Sequence, residues 1–175
     1  MNKCIVQCSL DPVSIGKAIR EIHQYKLDLS QKAEQVRKIV AERLAATAQS
    51  GFNMAMTDVT LNGANRRANV KVKADPDGKG TMSLVITEGE DAIWCEFGTG
   101  VYFNGAAGSS PHPKGKEFGM VIGGYGKGHG KRNVWGFKDG DDIILTHGAP
   151  ASMPMYNAFQ WVCENLEDIV REVFQ

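Results

Sequence analysis

Thirteen of the chain's 20 glycines fall in the 43 residues from Gly98 to Gly140. Glycine loses more conformational freedom on ordering than any other residue, and a connection this long is uncommon in a compact domain unless it carries function. The stretch is therefore expected to project from a firmer scaffold as a long loop, mobile in the free chain and ordered by a partner. It is preceded by Glu96-Phe97-Gly98-Thr99 and followed by His147-Gly148-Ala149-Pro150-Ala151-Ser152-Met153-Pro154. No catalytic set is evident inside it, so binding and assembly are the first expectation.

The scaffold is read from periodicity. At 175 residues and 42% hydrophobic content the chain suits one domain with a real core. Asp11 and Pro12 make a helix start, because a carboxylate caps free N–H groups and proline at the first helical position loses no needed donor. Ile15, Ala18, Ile19, Ile22 and Tyr25 recur at helical spacing, and Leu29, Ala33, Val36, Val40, Leu44 and Thr47 continue it. This predicts one bent helix or two, with a break near Leu27 to Ser30 and a left-handed end at Gly51. A short β-prone run, Cys4 to Ser9, precedes it.

The period then changes to two. Val59 and Leu61, then Ala68, Val70 and Val72, alternate with polar neighbours, and Met82, Leu84 and Ile86 resume the alternation after the turn signal Asp75-Pro76-Asp77-Gly78. Ile93, Cys95 and Phe97 predict one further strand of an antiparallel meander. Residues 133–137 and 143–145 are short β candidates. Met155, Phe159, Val162, Leu166, Ile169 and Val173 recur at spacings of three and four, predicting a closing amphipathic helix capped by Ser152 with Pro154 in its first turn. The expectation is one α+β domain: a small antiparallel β-sheet packed against a long N-terminal helical segment and a C-terminal amphipathic helix, with the Gly-rich loop over residues 98–140.

Several function classes fall away on residue spacing. No apolar run approaches the roughly 20 residues of a membrane helix, and the opening residues are too short and interrupted for a signal peptide, so a soluble protein made in a cytoplasm is expected. Cys4, Cys8, Cys95 and Cys163 are scattered, which predicts reduced, mostly buried thiols. None of Gly115-Lys116, Gly126-Lys127 or Gly130-Lys131 completes a phosphate-loop pattern, and Gly124 to Gly130 lacks the strand and helix a dinucleotide site requires. His112, His129 and His147, with Asp139, Asp141 and Asp142, match no usual metal spacing. Cys95 alternates with core positions and reads as a small buried hydrophobe, not a nucleophile. No cofactor is expected.

Charge is balanced overall, with 20 basic and 20 acidic residues, yet unevenly distributed. From Pro111 to Lys138 six basic residues (Lys114, Lys116, Lys127, Lys131, Arg132, Lys138) face one acid, giving +5. From Asp139 to Gln175 seven acids (Asp139, Asp141, Asp142, Glu164, Glu167, Asp168, Glu172) face Arg171, giving −6. Such asymmetry steers unlike surfaces of neighbouring copies together or draws a basic loop to nucleic acid. Trp135 and other aromatics in the region suit either role.

The order of parts, together with the Glu96-Phe97-Gly98-Thr99 strand end and the Pro150-Ala151-Ser152-Met153-Pro154 approach to the last helix, resembles the tail-completion, or neck, proteins of long-tailed bacteriophages and prophages. Met155-Tyr156-Asn157-Ala158 follow the second proline here, where family members often carry Phe, Arg and Pro. The resemblance implies a non-enzymatic structural protein of the virion, assembled in the bacterial host cytoplasm, that joins the DNA-filled head to the tail. It implies a homo-oligomeric ring, a hexamer, on the end of the tail tube. Its partners would be itself, connector and tail-tube proteins, and non-specifically the DNA in the channel, with no membrane and no small-molecule substrate. The resemblance is also compatible with an isolated chain that waits as a monomer for its template. The candidate assembly or channel residues are Glu96, Phe97, Thr99, Lys114, Lys116, Lys127, Lys131, Arg132, Trp135, Lys138, Asp139, Asp141 and Asp142. Other readings are a tail terminator or minor tail protein, a DNA-binding accessory protein, and a tail-associated hydrolase using His112 or His147.

Overall fold

The computed structural model describes residues 5–58, 66–75, 82–98, 110–120, 135–146, 148 and 150–175. The expected α+β architecture is present: a long N-terminal helix packs against a C-terminal helix and a small antiparallel sheet.

Helix α1 (Pro12–Met54) begins as the sequence predicts. Asp11 Oδ1 accepts from the amides of Val13 (3.0 Å) and Ser14 (2.9 Å), and Pro12 occupies the first turn. The break expected near Leu27 to Ser30 does not occur. The Ser30 hydroxyl bonds back to the Lys26 carbonyl at 2.9 Å, and the helix continues through both apolar series. Gly51 does not end it either. The helix runs on to Met54, and Ala55 leaves it in an extended conformation while donating to the Gly51 and Phe52 carbonyls. Residues 5–9 form no strand.

Strands β1 (Met56–Asp58) and β2 (Arg66–Arg67) pair antiparallel, as do β3 (Lys71–Asp75) with β4 (Leu84–Glu88) and β5 (Trp135–Asp139) with β6 (Asp142–Thr146). Among the described residues these form three two-stranded sheets and not one meander. The expected hairpin of β3 and β4 is found, but its register places Lys73 opposite Ile86 and Asp75 opposite Leu84. Leu84 and Ile86 therefore share the outer face with the charged residues, while Val72, Ala74, Val85 and Thr87 are half-buried. The free edge of β3 is finished by α1: Gln49 donates to the Val70 carbonyl (2.9 Å) and accepts from the Val72 amide (2.8 Å). Val59 and Leu61 lie outside the described residues.

The strand expected at Ile93 to Phe97 is instead helix α2 (Ala92–Phe97). Over six residues a period of two and a period of three to four are hard to separate, and Ala92 and Cys95 meet the core together at helical spacing. That core holds Phe52, Ala55, Val70 and Cys95, with Ala68, Val72, Ala92 and Met155 against it. The expectation of a buried Cys95 holds, whereas Cys8 and Cys163 are exposed. All three thiols are free.

Helix α3 (Pro154–Phe174) runs antiparallel along α1: its start touches Gly51, and Phe174 near its end lies under Lys32, whose Nζ is 5.4 Å from the ring centroid. Its buried face is Pro154, Ala158, Val162, Ile169 and Val173. Val162, Ile169 and Val173 were expected there, but Phe159 and Leu166 are turned outward. Small Ala158 takes the inward place. Close approach explains Gly51 as well, since a Cβ there would lie 2.8 Å from the Pro154 Cβ.

Candidate functional site

Helix α3 starts without a cap of its own. Ser152, expected in that role, uses its backbone amide to reach the Cys95 carbonyl at 2.9 Å. Met153 is the residue before the helix and adopts a left-handed conformation at φ 50, with no side-chain cap bond. A non-glycine residue there is strained by about 1 to 3 kcal/mol and persists only where its surroundings hold it.

Those surroundings are supplied by α2. The Glu96 carboxylate, 8% exposed, accepts from the amide of Met155 through Oε2 (2.8 Å) and of Tyr156 through Oε1 (2.9 Å). Two of the orphan donors at the helix start are thereby satisfied, and a negative charge sits where the helix dipole favours one. The Cys95 carbonyl takes the Ser152 and Met153 amides. The last turn of α2 thus clamps the chain before α3 and the first turn of α3 with two consecutive residues.

His112 completes the joint from the third side. Its Nε2 lies 3.2 Å from Glu96 Oε1, and its Nδ1 accepts from the Lys114 amide at 3.0 Å. Since Nδ1 is an acceptor, the ring proton sits on Nε2 and points at the carboxylate. The ring lies between Phe97 (centroids 4.5 Å) and Tyr156 (5.3 Å, edge-on). His112 is held by a closed turn over residues 110–120. The Ser110 amide donates to the Met120 carbonyl, the Ser110 hydroxyl to the Phe97 carbonyl, and Phe118 stacks 5.6 Å from Phe97. Gly115 is required there, because a Cβ would fall 2.7 Å from the Ser110 Cβ. Part of the expected loop is therefore folded onto the scaffold, and residues 135–139 of it form β5.

Both carboxylate oxygens of Glu96 are occupied by these donors, so the joint is built to hold a helix in place. The Cys95 thiol beside it is pushed up to about 11, first by burial and then by the Asp91 and Glu96 charges, and remains protonated at neutral pH. The His112 nitrogens face Glu96 and Lys114, so Cys95 is not paired with a base there. Among the described residues no group of three metal-ligating side chains converges. An open cleft of about 460 Å³ lies between the end of α1 and the start of α3, lined by Thr47, Met54, Ala55, Pro154, Asn157 and Trp161 among others, with no acid, base or thiol in its wall.

Nine of the thirteen candidate residues lie among the described ones. Glu96 and Phe97 are structural members of the joint. Lys114 and Lys116 are exposed on the 110–120 turn above it. Lys138, Asp141 and Asp142 are exposed around the two-residue turn of the β5–β6 hairpin, where Gly140 takes φ 62. Trp135 and Asp139 belong to β5, while Thr99, Lys127, Lys131 and Arg132, like His129 and His147, lie outside the described residues. Spacing alone did not reveal His112 as the third member of the joint; Gly115, three residues on, was the signal of a tight turn that could have found it. Among the described residues no helix is long and apolar enough to cross a membrane. No family model, curated protein or solved structure matches the chain.

Proposed function

We propose that this protein is a non-enzymatic structural component of the phage neck, a tail-completion protein that assembles as a ring on the tail tube and joins head to tail. One observation carries the reading. The two short segments on which the resemblance rests, 96–99 and 150–154, are far apart in sequence, yet Glu96 of the first holds the helix that the second begins, through bonds of 2.8 and 2.9 Å. Two short segments that carry a resemblance support it more when they meet in one joint than when they lie apart.

The exposed apolar side chains support the same reading. Ile15, Ile19, Ile22 and Leu29 on α1, interrupted by Lys26, and Phe159, Leu166 and Val170 on α3 leave apolar rows uncovered. Stripes of this kind are what a subunit presents to neighbours in an assembly.

The test is particle assembly. A phage or prophage lacking the protein is expected to accumulate filled heads and separate tails, and adding the purified protein to that lysate is expected to restore joined particles. Antibody labelling should place it at the head–tail junction by electron microscopy. Joined, infective particles formed in its absence would overturn the proposal.

A further inference from the structure

Helix α1 carries its apolar stripe well past the point where α3 ends. At Gly51 the helices touch, and at Lys32 they part beyond the Phe174 ring. From Pro12 to the residue before Lys32, about 30 Å of helix extends beyond α3. On that length Ile15, Ile19, Ile22 and Leu29 lie in one row, in line with Val36, Val40 and Gly51 further along at 100° per residue. The part of the row alongside α3 is half-covered, whereas Ile19 remains 62% and Ile22 57% exposed. The row that meets α3 inside the chain continues as an open surface outside it.

Helix α3 has a second stripe of its own. Phe159, Cys163, Leu166 and Val170 follow one another at spacings of four, three and four on the flank beside the buried face, and all four are exposed. The two stripes match in length: about 21 Å from Ile15 to Leu29 and about 17 Å from Phe159 to Val170. They are opposite in charge. Residues 12–31 carry Lys17, Arg20 and Lys26 against Glu21 and Asp28, a net of +1, while α3 carries Glu164, Glu167, Asp168 and Glu172 against Arg171, a net of −3. A rigid helix cannot fold its free end back onto the exposed flank of the α3 that already lies along its other end.

We propose that the free half of α1 docks on the exposed stripe of α3 of a second copy, so that subunits join head to tail. This rests on the ring reading above and names the surfaces that build the ring. The contact is heterologous: each copy offers one stripe and receives the other, which gives a closed ring or an open filament according to the rotation between copies. Pairing two α1 stripes with each other would set like net charges together, and pairing two α3 stripes would do the same with the opposite sign.

Cys163 makes the contact testable. In the full chain with Cys4→Ser and Cys8→Ser, Ile22→Cys puts a second accessible thiol on the α1 stripe, at a position exposed enough to leave the fold intact. Copper–phenanthroline oxidation of the concentrated protein is expected to give a ladder of dimers, trimers and larger species on a non-reducing gel. Mass spectrometry should find the introduced thiol linked to Cys163, and Cys163→Ser should abolish the ladder. Monomers only, or dimers joined through two identical positions, would overturn the proposed contact. Failure of the ladder in a protein that still restores joined particles would reject this interface and leave the neck reading standing; a ladder in a protein that joins no particles would do the reverse.

Discussion

Helices α1 and α3 both begin at a proline, and they are capped in opposite ways. The start of α1 is capped by the residue next to it: Asp11 bonds the amides two and three positions ahead while fully open to water. The start of α3 is capped from 59 residues away, by a buried carboxylate on another helix, with a histidine behind it. The first arrangement fixes where a helix begins and nothing about where it sits. The second fixes both, so α3 is locked to the core at its first turn while the first half of α1 is left projecting.

This contrast implies an order of effects. The largest belongs to the face of α3, where Ile169→Ala should cost about 4 kcal/mol in chemical denaturation because the side chain is fully buried. Leu166→Ala on the exposed flank should cost less than about 1 kcal/mol in the free protein. Equal losses at the two positions would mean that the helix is rotated from the orientation described. Next comes the joint. Glu96→Ala leaves the Met155 and Tyr156 amides and the His112 N–H without their partner, and a loss of about 3 kcal/mol is expected. Glu96→Gln should lie between, since a neutral amide can accept from only one side. If Glu96→Ala changes stability no more than an ordinary surface substitution, the joint is not what anchors α3.

Gly51→Val tests the same anchor from the α1 side. The closest approach of the helices leaves no room for a Cβ, so about 2 kcal/mol should be lost as they separate. Hydrogen exchange should then rise at the start of α3 and remain unchanged in residues 12–31. A rise in that free half instead would show that it depends on the joint after all.

The same contrast explains what was legible in the sequence. Asp11-Pro12 could be read because a local cap uses only neighbours, and the helical periods on either side of Ser30 were long enough to predict α1 apart from its continuity. The β3–β4 hairpin was legible because a turn signal joins two alternating runs, although the hidden face of β4 depended on a register that the turn sets, and β5 and β6 were legible as short strands but not as a pair. Helix α2 was misread because Ile93, Cys95 and Phe97 alternate as a strand would, and six residues are too few for a helical period to declare itself. The Glu96 cap was beyond reach for a different reason. A carboxylate that serves a helix in another part of the chain leaves no mark at either end beyond its identity. Ser152 has a capping side chain but stands one residue before the capping position, which Met153 holds in a left-handed conformation without a side-chain bond, and Glu96 supplies the cap instead.

The smallest effect belongs to Asp11, and its pH dependence separates the two caps. The Ser9 hydroxyl, followed by the Ser14 amide, holds the Asp11 carboxyl below its ordinary value. A carboxylate whose value is lowered on folding contributes stability that is present above the unfolded value, about 3.9, and is lost as pH falls through the folded one. Asp11→Ala should therefore lower helicity modestly at neutral pH, measured by circular dichroism, and the gap to the parent protein should close in acid. Because the residue is open to solvent, salt should shrink the same gap at neutral pH. A gap that persists unchanged into acid would mean that the side chain caps α1 by shape and not by charge, and the two helix starts would then differ in reach alone.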